Sequence, residues 1–113
     1  MAFVNVHQGL EGPVQMQAPK DPDATWIIGF IWDQYVDART TTVTASVFSS
    51  DDFTLENPAL NQTDTIAGVV YDAIQTVEVS GGTGGTIGAV RNRVTMANGE
   101  IDDRTINIFV QEQ

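Results

Sequence analysis

A chain of 113 residues, 42% hydrophobic and 18% charged, has room for one packed core and is too apolar to stay unfolded. The absence of cysteine excludes a disulfide framework, a thiolate metal centre and a cysteine nucleophile, so burial and backbone hydrogen bonding must hold the fold. A net charge of −10, from 15 acidic and 5 basic residues, repels phosphate backbones and anionic lipid, which argues against nucleic acid and membrane surfaces as partners.

In chain order, residues 1–22 read as an extended N-terminal arm. Pro13, Pro19 and Pro22 interrupt any regular element there, and apolar residues are scattered at Phe3, Val4, Val6 and Leu10. The arm has no basic residue before Lys20 and no apolar stretch of signal-peptide length, so no secretion signal is expected. Residues 23–113 read as the folded domain. Thr25 to Trp32 places Trp26, Ile28, Phe30 and Trp32 on one face of a strand and Ile27, Gly29 and Ile31 on the other, the mark of a central strand. This longest apolar run falls well short of the ~20 residues a membrane-spanning helix needs. Thr41 to Phe48 alternates with Val43, Ala45 and Val47 on one side, as a strand with one wet face does.

Further strands are predicted at Thr65 to Tyr71 and Gln75 to Ser80. A glycine-rich turn over Gly81 to Gly85 then leads to a strand from Thr86 to Met96. Asn98-Gly99 has the form of a two-residue hairpin turn, leading into a last strand from Ile101 to Val110. The best helical stretch, Leu55 to Asn61, is spoiled by Pro58. Strands spaced in this way predict an all-β fold, an immunoglobulin-like antiparallel β-sandwich of about seven strands, with a small barrel as the alternative.

Catalytic material is sparse. His7 is the sole histidine, sits in the arm and has no nucleophile motif beside it, so no catalytic residue, metal ligand or cofactor is assigned. The acid pairs Asp21/Asp23, Asp51/Asp52 and Asp102/Asp103 lack a Ca²⁺-loop spacing, and neighbours on a strand point to opposite faces. The candidate protein-contact residues are Arg91, Arg93, Arg104, Asp102 and Asp103, which gather on the last two strands, Phe109 on the outer face, and Phe3, Val4 and Val6 in the arm. The charged group reads first as a cross-strand ion network. The two tryptophans read as core rather than as an aromatic platform.

The run Val79-Ser80-Gly81-Gly82-Thr83, then Val90-Arg91-Asn92-Arg93-Val94-Thr95, then Gly99 and Asp102-Asp103-Arg104-Thr105-Ile106, resembles the small tailed-phage virion proteins called fibre-tail or head-tail adaptor proteins. Lys20-Asp21-Pro22-Asp23-Ala24 and Trp32-Asp33 resemble the start of that family's domain. The resemblance implies an immunoglobulin-like, non-enzymatic domain, made in the bacterial host cytoplasm and packed into a virion in several copies. Its expected partners are capsid, neck, tail or fibre subunits. The alternatives are a capsid decoration protein, or a glycan- or Ca²⁺-binding module for host attachment.

Overall fold

The computed structural model describes residues 4–7, 14–15 and 20–112. Its elements are β1 (Val4–His7), β2 (Val14–Gln15), β3 (Trp26–Ile31), α1 (Asp33–Ala38), β4 (Val43–Ser49), β5 (Thr54–Ile66), β6 (Val69–Ser80), β7 (Ile87–Met96) and β8 (Ile101–Phe109). They form two four-stranded sheets, in the orders β1-β3-β6-β5 and β2-β8-β7-β4. The three body strands of each sheet pair antiparallel, whereas β1 joins β3 and β2 joins β8 in parallel. Two segments of the expected arm thus supply one outer strand to each sheet. Val4 and Val6 hold register positions opposite Ile28 and Phe30; Phe3, Leu10, Pro13 and Pro19 lie outside the described residues.

Period-two burial builds the core. Ile28, Phe30 and Trp32 from the β3 side meet Ala73, Val77 and Val79 of β6, and across the sandwich Val90, Val94 and Met96 of β7 and Ile106 and Ile108 of β8. Each fully buried aliphatic of this kind contributes about 1.5–3 kcal/mol. Trp26 is half-buried against the cluster. On the opposite face of the first sheet the register partners Ile31 and Ile74 are buried as well, so β3 is covered on both sides, as its apolar run predicts.

Two polar ties cross between the sheets. Trp32 Nε1 donates to Asn92 Oδ1 at 2.8 Å, and Asn92 Nδ2 donates in turn to Ser46 Oγ at 2.8 Å. Gln75 Nε2 donates to Asn61 Oδ1 at 2.7 Å, while Asn61 Nδ2 reaches the Val43 carbonyl of the other sheet at 2.9 Å. Trp32, Asn92 and Gln75 are all fully buried, so each polar group needs its partner.

The middle of the chain differs from the sequence pattern. The stretch from 65 to 71 is not one strand: β5 and β6 form a long hairpin that turns at Ala67-Gly68, with φ of 51° and 81°. Successive positive φ angles make a tight two-residue turn, but alanine carries little sequence signal for one. Leu55 to Asn61 lies within β5; Pro58 is tolerated because β5 is an outer strand with broken register around it. The Asn98-Gly99 reversal forms with positive φ at Gly99 alone, and Met96 N bonds to Glu100 O at 2.8 Å, so it is a longer, bulged connection than the expected two-residue turn.

Helix α1, 6 residues long, was not legible from periodicity, because so short an element shows no repeat. Asp33 seats it: its carboxylate accepts from the Asp72 and Ala73 backbone N–H groups at 2.9 and 3.1 Å, joining the helix start to β6. The helix ends in a Schellman arrangement, Thr40 N to Asp37 O and Thr41 N to Val36 O, which forces Thr40 to a φ of 50°. A β-branched residue is strained there. Thr40→Gly is therefore expected to stabilise the chain by about 1 kcal/mol, read from urea unfolding midpoints.

Burial pushes the Asp33 carboxyl above the usual carboxylate value; the Asp72 and Ala73 N–H bonds oppose the shift and the Asp72 carboxyl reinforces it. The folded chain then keeps a proton that the unfolded chain has released, so this group makes stability fall as pH rises from about 4 through the raised value. Asp33→Asn should flatten that part of a stability profile measured upward from about pH 4.

Candidate functional site

The alternation that buries Val90, Val94, Ile106 and Ile108 turns their odd-numbered neighbours on β7 and β8 outward. Arg91, Arg93, Asp103 and Phe109 therefore share the outer face of the second sheet. Arg93 sits opposite Asp103, with Nη2 to Oδ2 at 3.3 Å, and also opposite Val47 of β4. Ile87 sits opposite Phe109, and both are exposed, at 59% and 39%. Val47 and Ile101 add exposed apolar surface to the same face. The result is an ion pair flanked by apolar side chains on a rigid antiparallel ladder.

Asp102 and Arg104 do not join that face. They have the parity of Ile106 and point inward, where Arg104 Nη1 meets Asp102 Oδ2 at 3.1 Å and the Asp103 carbonyl at 3.0 Å. The Arg104 guanidinium lies 5.1 Å from the Trp32 ring and 5.6 Å from the Tyr35 ring, and Tyr35 meets Trp32 edge-on at 5.4 Å. Arg39 covers Tyr35 at 3.7 Å and pairs with Glu100 at 3.2 Å. Burial, with Asp102 adding to it, raises the Tyr35 hydroxyl above its ordinary value. This stack closes the helix end of the sandwich. The five charges grouped on β7 and β8 thus divide between two faces, and the shared parity of Arg104 with Ile106, Ile108 and Val110 is the available signal for it. Tyr35, Arg39 and Glu100 carried no comparable signal, since α1 brings the first two into place.

At the opposite end, Lys20 is fully buried. Its ammonium donates to the Asp21 and Gly81 carbonyls at 2.9 and 3.0 Å, and its backbone bonds Phe109 and Gln111. Burial lowers its pKa, against the pull of Asp21 and Asp23. This knot ties the start of the described domain to the strand carrying Phe109.

Among the described residues no three His, Asp or Glu side chains gather as a metal would require, and no helix is long and apolar enough to cross a membrane. Asp51 and Asp52 border a surface hollow of about 220 Å³ with Ser49, Ser50, Ala89 and Arg91; Asp52 accepts from the Ala89 N–H at 2.9 Å, a loop-fixing role.

The two arginine environments predict different costs. Arg93→Ala should lower stability by less than about 1 kcal/mol, because its ion pair is exposed. Arg104→Ala, which removes packing against two rings and leaves Asp102 without its cation, should cost about 1–3 kcal/mol in urea unfolding.

The sequence from residue 20 to 109 matches one family model, Gp77, described as podophage GP4 fiber-tail adaptor protein gp77. No curated protein and no solved structure matches the chain. The match runs from Lys20 through β3 to β8, the three antiparallel strands of each sheet, and includes the face bearing Arg93 and Phe109. On that extent, the chain belongs to the Gp77 family of podophage fiber-tail adaptor proteins.

Proposed function

We propose that this chain is a non-enzymatic virion component that joins fibre to tail by protein–protein contacts, in several copies per particle. The observation that carries the reading is the outer face of the β4-β7-β8 sheet: Ile87 and Phe109 exposed side by side, with Arg91 and Arg93 further along the same face of β7, in a chain of net charge −10. Exposed aromatic and arginine side chains on a rigid ladder are the composition from which protein contacts draw most of their energy.

Arg91, Arg93, Asp103 and Phe109 form the contact set on this reading. Asp102 and Arg104 support it from beneath by fixing β8 against Trp32. The arm residues Phe3, Val4 and Val6 supply a second contact to a neighbouring subunit. The antiparallel strands β3, β5 and β6 on one side and β4, β7 and β8 on the other support an immunoglobulin-like scaffold, a fold that presents such faces without a catalytic pocket. The family match supports fibre-tail joining over shell decoration.

The test is binding of the full chain to purified tail and fibre subunits of the same phage. Arg93→Glu combined with Phe109→Ser should weaken one of the two complexes at least tenfold, roughly 1.4 kcal/mol or more, while the thermal midpoint stays near that of the parent. Val70→Ser, at an exposed position of the β5–β6 hairpin, should leave both complexes unchanged. Unaltered binding of the double variant would remove this face from the contact surface.

A further inference from the structure

The sheets end at strands of opposite character. β5, the outer strand opposite β1 in the first sheet, carries Glu56, Pro58 and Asp64, has positive φ at Asn57 and Asn61, and breaks register repeatedly against β6. These are the devices that keep an edge from pairing with another strand. β4, the outer strand opposite β2 in the second sheet, has none of them over its last residues. From Thr40 to Ser50 the sequence contains no charge and no proline, and Ala45 to Ser49 keeps continuous register with β7. Its far side meets no further strand among the described residues.

Beside this edge the sandwich is open. A cleft of about 240 Å³ lies between the sheets, lined by Ser46, Val47 and Phe48 of β4, Leu55 and Pro58 of β5, and Val77 of β6. Phe48 and Leu55 are half-buried, and Phe48 stands 5.9 Å from the Phe30 ring. An edge strand offers alternate backbone N–H and C=O groups, and an incoming strand sends alternate side chains to one face. Here that face is the apolar cleft. Beyond Ser49 the edge runs into Asp51 and Asp52, both exposed.

We propose that the β4 edge and its cleft accept an extended strand from a partner protein, which adds to the second sheet and places aliphatic side chains at alternate positions between Phe48 and Leu55. The partner strand is neutral along its length and basic at the end that meets Asp51 and Asp52. A second copy of this chain is a poor occupant: each copy brings a charge of −10, and β4 itself offers no basic residue to those aspartates. The inference rests on the adaptor reading and deepens it by giving the chemistry of one partner. It uses a different surface from the Arg93–Phe109 face, so an adaptor with both holds two proteins at once.

Hydrogen exchange on the full chain, alone and mixed with the purified tail or fibre subunits, tests it. Amides within residues 45–49 that exchange in the free chain should slow at least tenfold in one complex, and Ser49→Lys should weaken that complex at least tenfold without moving the thermal midpoint. A complex that forms while these amides exchange at the free rate overturns the strand-addition site and leaves the adaptor reading standing. Slowing that grows with concentration in the chain alone overturns the proposed partner in favour of self-pairing. Failure of both subunits to bind overturns the two readings together.

Discussion

The hydrogen bond from Trp32 to Asn92 fixes how the two sheets sit against each other. Both residues are fully buried, and an unmade bond at such a site costs about 1–3 kcal/mol. Trp32 lies between β3 and α1, at the helix N-cap; its ring meets Tyr35 edge-on and lies near Arg104. Asn92 lies in the middle of β7 and reaches Ser46 of β4 through its amide. One polar contact therefore sets the relation of β3, α1, β4, β7 and β8. Apolar packing alone would tolerate a slide between sheets, whereas a directional bond between buried partners does not. The outer face with Arg93 and Phe109 and the free edge of β4 take their places from this tie.

The charge distribution follows the same division. Carboxylates crowd the loops and the hairpin, while the basic residues are held in particular roles: Lys20 in a carbonyl knot, Arg104 against aromatic rings, Arg39 over Tyr35. Arg91 and Arg93 remain on an outer face. An acidic chain of this kind stays apart from its own copies at long range and approaches partners through the few neutral or basic surfaces it offers. The face of the second sheet and the edge of β4, the two proposed contact surfaces, are of that kind and adjoin along Val47 and Ser49.

Much of this is legible in the sequence alone. Alternation in Trp26–Trp32 and Ile106–Val110 marks the inward faces, and the glycine cluster at 81–85 marks the break between β6 and β7, because both signals are local. The hairpin turn at Ala67-Gly68 was hidden, since alanine rarely takes a positive φ and only pairing across β5 and β6 compels it there. Helix α1 was hidden because long-range bonds from Asp33 to β6, rather than a helical repeat, hold it. The charged cluster was half legible. Its residues were visible as a group, yet the parity that sends Arg104 inward and Arg93 outward had to be read from the isoleucines that follow. The polar core residues Asn92 and Gln75 gave no signal, as their roles depend on partners 60 and 14 residues away.

Hydroxyl-radical footprinting of intact particles beside the free chain tests the central claim most directly, that the outer face of the second sheet is covered by another virion protein. The account predicts that Ile87, Ile101 and Phe109 label strongly in the free chain and weakly in the particle. Equal labelling of those three side chains in both states would contradict it.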